Sequence, residues 1–176
     1  TVTFRDRATT VDGSDPLEPA EAVALIIRTI DAIEGATNLP FLGENLDYVD
    51  VPAYQFITEP SFISEVLRLS GCDLLLDTAH ARIAADWLDM PIEAYLEALP
   101  LERTREIHYN GPRVVDGHLW DAHAPATAED ERILGFVLDR CRPAAVTLEY
   151  RGDELEHEVE RLHGLLSSRD DKGMVT

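Results

Sequence analysis

Lysine is nearly missing from this sequence. Lys172 is the only one, against 34 acidic residues and a formal net charge of −19. A field of that sign repels phosphate backbones, which argues against nucleic acid as a partner. It favours cationic partners, metal ions included, although solubility alone also accounts for the bulk of it. Long apolar runs are missing too. The longest, Ala22 to Ile27, falls far short of the ~18 residues a membrane span requires, and it sits inside an amphipathic pattern. Cysteine is scarce: Cys72 and Cys141 form neither a CxxC pair nor a disulfide framework. Each falls where a predicted helix meets the next strand, and both read as small buried thiols. No basic start followed by an apolar stretch marks a secretory signal, so the cytoplasm is the expected location. Histidine is absent before His80.

What is present suits a single globular domain. The chain has 176 residues, 45% of them hydrophobic. Pro19 to Glu34 reads as a helix, with Ala22, Val23, Ile26, Ile27, Ile30 and Ile33 on one face and Gly35 as its stop. Leu39 to Glu44 reads as a strand. Pro60 to Leu69 is again helical and stops at Gly71. The run Asp73-Leu74-Leu75-Leu76-Asp77 suits a strand buried on both faces. Further predictions are a helix over Pro91 to Leu99, a strand over Thr104 to His108 and a helix over Ala128 to Arg140. A strand over Ala145 to Glu149 and a helix over Glu154 to Leu166 complete the pattern. Val2 to Phe4 is a candidate fifth strand, residues 5–18 read as loop, and the polar tail 167–176 reads as loose. Strands alternating with helices argue for parallel βαβ units.

Polar residues recur at the ends of those strands. Glu44, Asp77, His108 and Glu149 close the four strands in turn. In a parallel α/β sheet or barrel these ends share one face, where active sites form. His80, Asp121 and His123 follow in what read as loops, the last two as an Asp-x-His pair. Three imidazoles and four carboxylates form a donor set for zinc, manganese or iron, and seven donors exceed what one ion needs. A metal-free acid/base site is the other use of such a cluster. Individually, an Asp after a strand is often a helix cap. Asn45, His118 and Arg151 are candidates for touching a substrate or supporting the ligands. His118 otherwise reads as a solvent-exposed loop residue. Arg151 is placed to pair with Glu149 or with a substrate carboxylate.

Specific segments carry a resemblance. Gly43-Glu44-Asn45-Leu46-Asp47-Tyr48 resembles the Glu-Asn-x-x-x-Tyr segment of the multinuclear non-heme iron-dependent oxidative enzymes, which include the methanobactin biosynthesis oxidase. Glu59 to His80 resembles that family's helix, Gly-Cys, leucine-rich strand and metal-binding Asp. Pro91 to His108 resembles its Tyr-Leu-x-x-Leu-Pro and Glu-Ile-His segments. Asp121-Ala122-His123 and Leu148-Glu149 complete the match over roughly residues 19 to 166. The wider group is the xylose isomerase-like TIM barrels. Endonuclease IV shares the ligand order, so that order alone does not separate an oxidase from a hydrolase.

The resemblance implies a (β/α)8 barrel holding two or three irons and using dioxygen to modify ribosomally made peptides. Zinc or manganese is the alternative metal. It implies Glu44, Asp77, His80, His108, Asp121, His123 and Glu149 as ligands, a precursor peptide as substrate, and a partner protein that presents it. The family's barrel places about half its strands, with further histidines, before the position of Glu44. The expectation here is therefore a single partial domain over 1–176, the C-terminal half to five-eighths of the barrel. A complementary half or a second copy would complete it. A metal-dependent hydrolase or isomerase and a non-catalytic half-barrel are the alternatives.

Overall fold

In a computed structural model the chain is described over residues 17–50, 54 and 56–173, with side chains to 169. The candidate strand Val2 to Phe4 lies outside these residues. Four strands form one parallel sheet: β1 (Leu42–Glu44), β2 (Asp73–Asp77), β3 (Thr104–Tyr109) and β6 (Ala145–Leu148), ordered β1-β2-β3-β6. Each strand is added on the same side of the last, the order in which a barrel grows, whereas a doubly wound sheet reverses. The molecule is a mixed α/β fold, as expected. Among the described residues the sheet is open, with β1 and β6 at its edges.

The sheet's two faces differ in chemistry. Leu74, Leu76, Ile107 and Tyr109 are buried toward the helices. The alternate residues Glu44, Leu75, Asp77, Glu106, His108 and Thr147 share the other face, because side chains alternate along a strand and the register aligns them. The helix-covered face carries the core, which α2 (Pro60–Ser70) joins through Phe62, Ile63, Val66 and Leu67.

α1 (Pro19–Thr37) runs through Gly35 instead of stopping there. An internal glycine costs a helix only about 1 kcal/mol relative to alanine. The stop is Asn38, in the left-handed region (φ 54), whose N–H donates to Glu34 O at 2.8 Å. α4 (Ile92–Glu97) is shorter than predicted, and Pro91 precedes its first turn as the cap. α6 (Leu155–Gly173) continues through most of the segment expected to be loose. Arg161 and Glu158 near its start hold it to the loop before α5 (Ala128–Leu138), where Glu158 Oε2 accepts the Ala126 N–H at 3.2 Å.

One helix and one two-stranded hairpin were not foreseen. α3 (Thr78–Trp87) begins directly where β2 ends, with no loop between them, and buries Ala79, Ala81, Ile83, Ala84 and Ala85. A stripe made mostly of alanine gives weak periodicity, which is why the sequence read as irregular there. The second is a hairpin of β4 (Gly111–Val115) and β5 (His118–Ala124), joined by Asp116 (φ 52) and Gly117 (φ 90). Asp-Gly joining two strand-forming runs, here Val114-Val115 and His118-Leu119-Trp120, is a strong two-residue hairpin signal. Gly111 closes the hairpin's base, where a Cβ would lie 2.4 Å from the Pro125 carbonyl oxygen.

Candidate metal centre

The site stands at the C-terminal end of the parallel sheet. Glu44, Asp77 and His108 each present a donor atom, and the three atoms lie within 4.8 Å of one another. They belong to three adjacent strands, brought side by side by the in-register pairing of Asp77 with His108. Glu149 follows the fourth strand, and its N–H donates to Tyr109 O at 3.1 Å. That bond sets Glu149 Oε1 3.2 Å from His108 Nδ1, with Glu44 Oε1 at 3.5 Å from the same nitrogen.

The three remaining candidates are not on loops. His80 sits in the first turn of α3, and Asp121 and His123 sit on β5. His80 Nε2 lies 3.8 Å from both Asp77 Oδ2 and Asp121 Oδ2. His123 Nε2 lies 2.9 Å from Asp121 Oδ2 and 3.6 Å from Glu149 Oε2. All seven sequence-predicted donors therefore form one connected cluster. His123 reaches it with a left-handed backbone (φ 47), a conformation costing a non-glycine residue about 1 kcal/mol or more and typical of functional sites. The Arg151 N–H donates to His123 O at 2.7 Å and helps hold that turn.

The supporting residues are mostly asparagines. Asn45 is fully buried and takes both ends of one backbone unit: its Nδ2 donates to Asp77 O and its Oδ1 accepts the Asp77 N–H, each at 2.9 Å. The Asn45 carbonyl lies 2.9 Å from His80 Nδ1. With Nδ1 so engaged, and Glu44 Oε1 3.7 Å from it, Nε2 is the atom His80 turns toward Asp77 and Asp121. Asn110 Nδ2 reaches Asp77 Oδ2 at 3.3 Å and Glu149 Oε2 at 3.5 Å. Sequence reasoning named Asn45 but missed Asn110 and Glu106. Both lie two residues from His108, Glu106 on the same face of β3 and Asn110 just past its end, and that spacing was the available signal. His118 stands outside the cluster. It opens β5, is exposed, and stacks on Trp87 at 4.1 Å, while Tyr48 stacks on the same indole at 4.8 Å. The Arg151 side chain is exposed.

The electrostatics are those of a cation site. Burial, with smaller help from the Glu149 and Asp121 carboxylates, pushes the Asp77 carboxyl up to about 6 against the opposing pull of the His80 side chain and N–H. Burial disfavours a charged His80. The Asp121 and Asp77 carboxylates, the Asn45 carbonyl and Asp47 outweigh it and raise the imidazole to about 10. Asp121 is also desolvated, yet His80 and His123 hold its carboxyl below its usual range. Without a cation the cluster thus retains protons to offset its negative charge. Three buried polar atoms here, His108 Nδ1, Asn110 Oδ1 and Asp121 Oδ1, have no hydrogen-bond partner among the described residues. Buried polar atoms without partners are rare, and an absent ion is one reason for them. Imidazole and carboxylate donors suit iron, zinc or manganese, so the residues fit a metal. A cation that takes His80 as a ligand must displace its proton. Apparent Co²⁺ affinity, measured by calorimetry, is therefore expected to rise roughly tenfold per unit between about pH 7 and 8.5. A flat profile would remove His80 from the ligand set.

The profile of the family described as "RiPP precursor modification enzyme MbnB/TglH/ChrH" matches residues 16–166. The chain belongs to this family. It is 32% identical over 150 residues to a UPF0276 protein of a Caulobacter species, covering 80% of this chain and 50% of that one. To the UPF0276 protein of Chromobacterium violaceum it is 28% identical over 158 residues, 86% of this chain and 57% of the relative. A Paraburkholderia phytofirmans UPF0276 protein is 38% identical over 86 residues, covering 49% and 28%. The chain thus spans about half the length of these relatives. Family membership accords with the sequence resemblance, and no helix among the described residues is long and apolar enough to cross a membrane.

Proposed function

We propose that this chain carries part of the metal centre of an oxidative enzyme that modifies a ribosomally made precursor peptide. The observation that carries the reading is the convergence of Glu44, Asp77, His80, His108, Asp121, His123 and Glu149 on one end of a parallel sheet. In this reading those seven hold two or three irons. Iron supplies dioxygen activation and hydrogen abstraction when bound. The protein's own part is to place the donors, keep His80 turned inward through Asn45, and balance charge around buried Asp77.

The sheet is one sector of a (β/α)8 barrel, and the length of the relatives supports that. Among the described residues β1 and β6 have unpaired edges, which call for a complement, either further strands of the same protein or a partner chain. A protein that presents the precursor peptide is a second partner in this reading. Purification and reconstitution under anaerobic conditions, followed by metal analysis, test the function. At least one equivalent of iron is expected, with thermal stability that falls on chelation. Less than one equivalent, together with stability indifferent to chelator, would sink the proposal.

A further inference from the structure

Glu106 has no role in the ligand set, yet it lies on the same sheet face two residues before His108. Its Oε1 is 3.6 Å from His108 Nε2, on the opposite side of the ring from the nitrogen that faces Glu44 and Glu149. The same oxygen accepts the Thr147 hydroxyl at 2.7 Å, which ties it to the neighbouring strand β6. Nδ1 is buried and faces the Glu149 and Glu44 carboxylates at 3.2 and 3.5 Å, with no hydrogen bond to either and none to any other described residue. The two ring nitrogens are therefore differently placed, one toward an anchored carboxylate and one toward the donor cluster.

We propose that Glu106 is a positioning residue for His108: it holds the proton on Nε2, so that Nδ1 offers its lone pair to the metal. A carboxylate behind a ligating imidazole fixes the tautomer and raises the basicity of the other nitrogen, and losing such a partner typically weakens metal binding tenfold to a hundredfold. Thr147 holds the carboxylate in place. The inference rests on the proposed metal site, and its test separates the two.

The test uses the full chain with Co²⁺ and Zn²⁺. Glu106→Gln is expected to weaken Co²⁺ binding by roughly tenfold or more and to alter the visible Co²⁺ spectrum, with the thermal midpoint of the metal-free chain little changed. Combined with His108→Ala, it should add nothing further, because it acts only through that ring. In the Zn²⁺-loaded chain, nitrogen-resolved NMR should show His108 protonated at Nε2, with that proton exchanging faster in Glu106→Ala. Unchanged affinity and spectrum in Glu106→Gln overturn the positioning role while leaving the metal site standing. An equal loss in the His108→Ala background also overturns it. Absence of Co²⁺ binding by the unmodified chain overturns both.

Discussion

Asn45→Ala should lower stability by about 2–4 kcal/mol, with a fall of roughly 5–15 °C in the thermal midpoint for a domain of this size. The side chain is fully buried and makes two bonds to the backbone of Asp77, the residue that ends β2 and caps α3. Truncation strands a buried N–H and a buried carbonyl, and each stranded group costs about 1–3 kcal/mol. It also loosens the turn after β1 whose carbonyl orients His80, so metal affinity should fall with stability. Thermal unfolding followed by circular dichroism, with chelator present, isolates the structural part. A loss under about 1 kcal/mol would show that the turn is held by other contacts. Asn45→Asp should be no milder, because it removes the donor and adds a second buried acid beside Asp77.

Asp77→Asn should separate stability from binding. The asparagine oxygen can still accept the His80 N–H that Asp77 Oδ1 takes at 2.7 Å, so α3 keeps its cap. What disappears is a buried negative charge. In the metal-free chain burial raises the Asp77 carboxyl from its ordinary 3.8 to about 6. A raised carboxyl favours the fold while protonated, and that contribution is lost as pH rises through about 6. Above that pH the metal-free variant should therefore match or exceed the unmodified chain, by up to roughly 2–3 kcal/mol. Its affinity for Co²⁺ should drop on the order of a hundredfold, because a ligand has lost its charge. Paired unfolding and calorimetry at about pH 8 decide it. A variant that is less stable yet binds metal normally would make Asp77 a structural cap and nothing more.

Both experiments turn on residues whose chemistry was visible in the chain but whose partners were not. The strands Asp73–Asp77 and Ala145–Leu148 were legible, the second expected one residue longer, because short apolar runs that end at an acid have few other uses in an α/β fold. α2 was legible because Phe62, Ile63 and Val66 repeat at helical spacing before Gly71, which takes the left-handed turn (φ 79) that ends it. α3 was not, since alanine marks a buried face only weakly and Asp77 serves as the last strand residue and the helix cap at once. The hairpin was missed although Asp116-Gly117 signalled it, and with it the fact that Asp121 and His123 ride on a strand.

The linear sequence determined the inventory: strands closing on or beside a carboxylate or imidazole, a strong excess of acidic residues, and seven histidine and carboxylate residues able to serve as donors. Residue type and local periodicity set these, and both are readable along the chain. Only the tertiary structure decided which ring nitrogen faces which carboxylate, that Asn45 and Asn110 brace Asp77 from two sides, and that Glu106 lies behind His108. The asparagine bonds join residues thirty or more apart in sequence, and the facing of the His108 ring depends on strand register and side-chain direction. Donor identity is a property of single residues, whereas ligand geometry is a property of packing.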